Sequence, residues 1–285
     1  MKRENMDDFR ADMHCHSTCS DGTCSPEELV DIAFKSGLKG LSITDHDSVE
    51  AYQSAVEPAA KLGIKLLSGV EFSAEQDSVN VHILAYAFAF QNPVITKFCQ
   101  KHAARRVERN REILDLLRMH RMPIKEQDVI DLSPCGTIGR PHIALAMINY
   151  GYVKTLQEAF KKYLGDGKSC FASGKPFSVE ETLDVIHKAK GLAVIAHPHL
   201  IDHVPTTKRL LEMNFDGIEC YYGKFPAHVH EKWLEMARNK NWLISGGSDF
   251  HGAIKPNISL GNSWVNEELF NPFYSHFQAN LREDI

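Results

Sequence analysis

The stretch Ala11-Asp12-Met13-His14-Cys15-His16 decides how the rest of the chain is read. A short apolar run ends in two histidines separated by one residue. On a β-strand alternate side chains share a face, so His14 and His16 point the same way and can grip one cation or two adjacent ones. Three further stretches repeat the theme: Thr44-Asp45-His46-Asp47, Ala196-His197-Pro198 and Ser248-Asp249-Phe250-His251. Each sets a histidine, mostly with aspartate beside it, at the end of an apolar run. Sites so far apart in the chain require a fold that gathers strand ends around one point. The pattern predicts a multinuclear metal centre.

With 285 residues the chain is long enough for one large barrel-type domain, or for a domain carrying an insertion. Its 43% hydrophobic and 24% charged content is that of a soluble globular protein. A net charge of −5 argues against a surface built throughout to wrap a polyanion. No apolar run reaches the length of a membrane span, and residues 1–5, Met-Lys-Arg-Glu-Asn, are charged rather than signal-like. The seven cysteines are odd in number and lack C-x-x-C spacing, so they read as reduced thiols and cytoplasmic residence is expected.

Working outward from the first motif, residues 11–16 read as a strand. Ser25-Pro26-Glu27-Glu28 supplies an N-cap, a proline at the first helical position and a capping-box glutamate for a helix to about residue 37. A strand at 40–44, a helix capped by Ser48 and ending near Gly63, and strands at 64–72 and 79–86 complete an alternation that predicts a parallel α/β arrangement. From 93 to about 180 the pattern is nearly all helical, with segments at 93–120, 140–150 and 156–164. Alternation then resumes: helices at 179–190, around Lys208 and at 226–239, and strands at 192–196, 217–222 and 242–246. The prediction is an α/β barrel formed by residues 10–92 and 180–285, interrupted by an all-helical insertion over 93–179.

Imidazole and carboxylate are ligands for zinc, manganese or iron, and mixed nitrogen–oxygen sets suit hydrolytic metals better than structural zinc. The candidates are His14, His16, His46, Glu71, His82, His197, Asp249 and His251 at strand C-terminal ends, with Asp21 in the loop after the first strand. In barrels that end is where chemistry is assembled.

In this order and context the motifs resemble the polymerase and histidinol phosphatase (PHP) superfamily over essentially the whole chain. The resemblance implies a distorted seven-stranded (β/α)7 barrel holding two or three divalent ions, with manganese for activity and zinc or iron as alternatives. By motif, His14, His16, Glu71 and Asp249 would bind one ion. Asp21, His46 and His251 would bind a second, and Glu71, His82 and His197 a third. A metal pair activates water for in-line attack on phosphorus, and no Ser-His-Asp or Cys-His triad is needed. His199 and Asp47 are candidates for the general acid or for partners that orient ligands.

The helical stretch adds Arg105, Arg106 and Arg109 on adjoining faces of one predicted helix, Arg140 at a helix start in Gly139-Arg140-Pro141-His142, and Lys168 in a glycine-rich turn. Guanidinium forks match phosphate, although a solvated basic face gives the same pattern. The helical stretch and these arginines resemble the TrpH/YciV-like branch, which includes 3′,5′-nucleoside bisphosphate phosphatases and 5′→3′ exoribonucleases acting on short RNA. That implies a nucleotide or short-RNA substrate whose second phosphate is held by Arg105, Arg106, Arg109 and Arg140, with Lys168 nearby. No obligate protein partner and no membrane are implied. The alternatives are a histidinol-phosphate or other small-monophosphate phosphatase, and a non-enzymatic metal-binding regulatory module. Cys15, Cys19 and Cys24 read as ordinary thiols, Cys15 on the face opposite the two histidines. His228 and His230 read as surface histidines, and Trp233, Trp242 and Trp264 as packing residues.

Overall fold

The computed structural model describes residues 8–133 and 137–283; residues 1–5, with their charged side chains, lie outside them. β1 (Ala11–Cys15) is buried along its length. α1 (Pro26–Lys35) starts at the predicted cap: Ser25 Oγ accepts the Glu28 N–H, and the Glu28 carboxylate accepts the Ser25 N–H. These are two of the donors a helix cannot satisfy internally. β2 (Gly40–Ile43) follows, but α2 (Tyr52–Leu62) begins later than predicted. Ser48 does not cap it, because its hydroxyl accepts the Glu50 N–H inside the preceding loop. Asp47 just before it adopts a φ of 54° and donates its N–H to the Glu71 carbonyl, so this segment is committed to a neighbouring strand.

The strand predicted at 64–72 is two strands, β3 (Lys65–Leu66) and β4 (Gly69–Gln76), belonging to different sheets. Tyr52 sits at the break. Its hydroxyl lies 2.6 Å from the Ile43 carbonyl and 3.0 Å from that of Leu67, and accepts the Gly69 N–H at 2.6 Å. β4 and β5 (Val79–Tyr86) pair antiparallel through a two-residue turn, Asp77 and Ser78, both with positive φ (54° and 61°). Such turns match the twist of the flanking strands and join only antiparallel neighbours. The expected parallel arrangement is therefore mixed.

α3 (Pro93–Met119), α4 (Glu126–Ile130), α5 (Arg140–Asn149) and α6 (Leu156–Ala159), the last continuing as a π-turn over Phe160–Leu164, make up the helical stretch. They bury an apolar cluster of their own around Ile113, Leu117, Ile143, Met147 and Leu164. The chain returns through β6 (Phe177–Ser178), α7 (Val179–Lys188), β7 (Leu192–Ile195), α8 (Val204–Glu212), β8 (Gly217–Tyr222), α9 (Ala227–Lys240) and β9 (Leu243–Gly247) to α10 (Glu267–Glu283).

Two sheets, β1-β2-β3 and β6-β4-β5-β7-β8-β9, close into a distorted barrel whose wall is β1, β2, β4, β5, β7, β8 and β9. The metal-motif segments themselves close the seams. Asp249 donates its N–H to the His14 carbonyl (2.7 Å) and His16 to that of Phe250 (2.9 Å). Across the other seam, Glu71 donates its N–H to the Asp45 carbonyl at 3.3 Å. Close approach also needs Gly247, where a β-carbon would stand 2.4 Å from the His14 nitrogen.

The sequence reading missed α10. Its Phe270, Phe273 and Phe277 pack with Met13, Leu84, Tyr86 and Val194, and the Tyr86 hydroxyl donates to the Met13 carbonyl at 2.7 Å. The i, i+3, i+7 spacing of those phenylalanines is the helical signal that would have located it. Among the described residues no helix is long and apolar enough to cross a membrane.

Candidate metal centre

His14 and His16 project from one face of β1, as the two-residue period requires. Cys15 goes the other way, into the cluster with Leu29 and Leu41, its thiol donating to the Ser42 carbonyl at 3.4 Å. The loop after β1 brings in Asp21. Asp45 shapes that loop by accepting the Ser17 N–H (2.7 Å) and the hydroxyls of Ser17 and Ser20 (2.5 Å each).

At the middle lies Glu71, 1% exposed. Its Oε1 is 2.8 Å from His82 Nδ1 and 2.8 Å from His197 Nε2. Its Oε2 is 3.1 Å from His16 Nε2, 3.2 Å from His46 Nδ1 and 3.3 Å from His14 Nε2. One carboxylate thus meets five imidazoles from four segments. Asp249 Oδ1 lies 3.3 Å from His16 Nε2 and 3.5 Å from His14 Nε2. Its Oδ2 accepts the Tyr222 hydroxyl (2.7 Å) and the Lys255 ammonium (2.5 Å). Asp21 reaches His251 Nε2 at 3.3 Å and His46 Nε2 at 3.9 Å.

All nine predicted residues therefore converge. Four overlapping sets have ligand atoms within 4.8 Å of one another: His16, Asp21, His46 and His251; His14, His16 and Asp249; His14, Glu71 and His197; His46, Glu71 and His82. These donors could hold metal ions. His46 Nδ1 supports that fit: it is buried and 3.2 Å from Glu71 Oε2 yet makes no hydrogen bond.

The electrostatics point the same way. Burial alone would raise the Glu71 carboxyl, but His82, His46 and His14 hold it well below the carboxylate range. Asp21 and Asp249 are likewise held low against their burial, by His251 and His46 and by Lys255 and His251 respectively. Burial opposes charge on His16, yet Asp249 and Glu71 raise it to about 9. For His46 and His251 burial wins, taking His46 down to about 3. Protons on His16 and His14 thus supply part of the positive charge the acids call for. Two of the nine have positive φ, His197 at 23° and Asp249 at 54°.

Several participants escaped the sequence reading. Glu219 on β8 is fully buried and contacts both His14 and His197. Its signal was a lone acid within an apolar strand. Tyr222 and Lys255, which hold Asp249, carried no local signal. His230 is buried rather than on the surface. Its Nε2 packs against the Tyr222 backbone N–H and carbonyl (3.4 and 3.3 Å), because α9 turns that face onto β8.

The arginines gather beside the centre. Arg106 Nε donates to Asp47 Oδ2 at 2.7 Å and its Nη2 to Ser73 Oγ at 3.2 Å. Arg105 lies 3.1 Å over the Phe177 ring, with one buried guanidinium nitrogen unpartnered. Burial, then Arg106 and Arg140, lower Arg109 to about 9, and its Nε is also unpartnered. Arg140 donates to Asp166 Oδ1 (2.6 Å), whose other oxygen accepts from Asn80 (2.8 Å). Lys168 is exposed on the turn beyond.

The surroundings of both suspected acids disfavour their protonated forms. Asp47 is held as carboxylate, against its burial, by Arg106 and His102. His199, packed 5.6 to 5.8 Å from the rings of Tyr222, Phe225 and Trp233, is pushed down to about 3 by burial and then by His230.

A mixed barrel with strand-end histidines and carboxylates around a buried glutamate defines a class of metal-site proteins. The PHP domain matches residues 12–242, and the chain belongs to that family. It is 34% identical to a 5′-3′ exoribonuclease of Haemophilus influenzae over 84% of this chain and 89% of that protein. It is 28% identical to a 3′,5′-nucleoside bisphosphate phosphatase of Chromobacterium violaceum, over 95% and 97% respectively. A Bifidobacterium adolescentis crystal structure assigned as a metal-dependent phosphoesterase superposes with a TM-score of 0.84 at 29% identity, covering 95% of this chain and 96% of that one.

Proposed function

We propose that this protein is a metal-dependent phosphoesterase acting on 3′,5′-nucleoside bisphosphates or on the 5′ ends of short RNA. The observation that carries the reading is the juxtaposition of two incomplete sites. Glu71 stands among five imidazoles in an arrangement that a cation completes. Beside it Arg105 and Arg109 keep buried N–H groups that an anion completes. A substrate with one phosphate at the metals and a second among the arginines satisfies both.

The ligands on this reading are His14, His16, Glu71 and Asp249 for one ion, Asp21, His46 and His251 for a second, and Glu71, His82 and His197 for a third. Two to three ions of manganese, with zinc or iron as substitutes, would activate water and neutralise charge on the phosphoryl group. Tyr222 and Lys255 orient Asp249, and Asp45 holds the loop that delivers Asp21. Arg105, Arg109 and Arg140 bind the second phosphate, Arg140 exchanging Asp166 for it, while Lys168 lines the approach. Arg106 acts through Asp47, which it already pairs. The barrel is formed by residues 10–92 and 180–283, with β6 pairing to it from the end of the 93–179 insertion, and that insertion selects the substrate. A small monophosphate would leave the buried arginine donors unmatched, which disfavours histidinol phosphate.

A turnover panel tests this: adenosine 3′,5′-bisphosphate, 5′-phosphorylated short RNA, AMP and histidinol phosphate, each with manganese. The first two should dominate. Preference for histidinol phosphate would overturn the substrate assignment, and no hydrolysis of any would overturn the enzymatic one.

A further inference from the structure

Glu219 is a carboxylate with no exposed surface, set in the apolar strand β8. Its oxygens are spent on two different residues of the centre. Oε1 lies 2.9 Å from Nδ1 of His14, and Oε2 accepts the His197 backbone N–H at 2.6 Å. A carboxylate only accepts, so the proton of the first contact sits on Nδ1. In the neutral ring the lone pair is then on Nε2, the atom 3.3 Å from Glu71 and 3.5 Å from Asp249. The second contact pins a strained backbone, since His197 has φ of 23°, and its ring reaches Glu71 at 2.8 Å. Burying a carboxylate against only a neutral ring and an amide would be costly without nearby positive charge.

We infer that Glu219 is a positioning residue that fixes the tautomer of His14 and the backbone of His197, coupling two donor sets through one buried side chain. The inference rests on the metal-dependent reading above. Imidazole ligands are commonly oriented by an acceptor on their other ring nitrogen, and losing it weakens metal binding about ten- to a hundredfold. Here one residue performs that role for His14 and also sets the direction of His197.

Glu219→Gln keeps the size of the side chain. With its amide oxygen on the His197 N–H, its NH2 group faces His14 Nδ1. The ring must then accept there and carry its proton on Nε2, where the lone pair is needed. The variant should fold, by circular dichroism and melting temperature, yet bind manganese or zinc about ten- to a hundredfold more weakly by calorimetry. Glu219→Asp, which keeps the charge, should recover part of that loss. Unchanged affinity and stoichiometry in a folded Glu219→Gln protein would overturn the inference. Nitrogen-15 spectra of histidine in the zinc-loaded unaltered chain decide the matter if the variant misfolds: His14 should keep its proton on Nδ1, and a proton on Nε2 would overturn it. An unaltered chain that takes up no metal overturns the functional reading itself, whereas equal binding by both proteins overturns only the role of Glu219.

Discussion

The strand-end cluster and the arginine face of α3 lie side by side and are built on opposite principles. In the first, Asp21, Glu71 and Asp249 face six imidazoles, and protons on His14 and His16 stand in for missing positive charge. In the second, four guanidinium groups crowd together with Asp47 and Asp166 as their acidic partners, and Arg109 is depressed by burial and then by its neighbours. On the proposed function, a cation would complete the first region and an anion the second, as a metal-bound phosphate ester with a second phosphate would do.

The harshest way to break this comparison is to remove a ligand from the cluster. Asp249→Ala and His197→Ala should each bring turnover down to the level of the metal-stripped protein while the circular dichroism spectrum stays native. Retained activity in either would remove that residue from the ligand set.

Arg106 separates structural from substrate-binding arginines. Its partner Asp47 is 1% exposed and Arg106 itself 11%. Removing one member of a buried pair strands the other charge and costs about 3–5 kcal/mol. Arg106→Ala should therefore lower stability to denaturant by that amount, and an unchanged unfolding midpoint would free Arg106 for a direct role with phosphate. Arg140→Ala tests the opposite case. Its half-exposed partner Asp166 needs no rescue, and an arginine–phosphate contact is worth about 1.5–3 kcal/mol. kcat/KM on a 3′,5′-bisphosphate should fall roughly ten- to a hundredfold, with little change on p-nitrophenyl phosphate. Equal impairment on both substrates would show that the arginine face does not select for a second phosphate.

The smallest effect sharpens the cluster's side. His16 is raised to about 9, so at pH 7 it is protonated and must lose that proton to ligate. Metal affinity should rise with pH, by about 1.4 kcal/mol per unit for each displaced proton, with His14 and His16 both contributing. Calorimetry in buffers of different ionisation enthalpy should show proton release on loading at pH 7, and its absence would mean that His16 is neutral beforehand.

Most of the nine cluster residues were legible because they sit in a local pattern that survives any packing, an apolar run and then histidine or acid. Glu71 and His82, however, lie inside β4 and β5 rather than at the predicted C-terminal ends, because these two strands pair antiparallel, and Asp21 lies in a turn. Glu219 was not legible, because its importance lies in meeting His14 across 205 positions of sequence. The arginines were legible as cations, but nothing local distinguishes Arg106, paired with Asp47, from Arg109, left with an unspent donor. α10 went unread although its phenylalanine spacing was available. The Ser48 cap was misread because Asp47 is drawn to Glu71 by a contact outside its own segment.

By itself the sequence determined which residue types stand at strand ends, the alternation of β and α signals, and the helical character of the stretch between β5 and β6. These follow from backbone periodicity and from the donors and acceptors each residue carries within a few positions of itself. Tertiary structure alone decided the antiparallel β4-β5-β7 core, the closure of the barrel through the metal-motif segments, and the sharing of Glu71 among five imidazoles. It also decided which arginine is spoken for. Those outcomes depend on distances of about 3 Å between residues far apart in the chain, and such distances are fixed by packing and hydrogen-bond saturation in the folded whole.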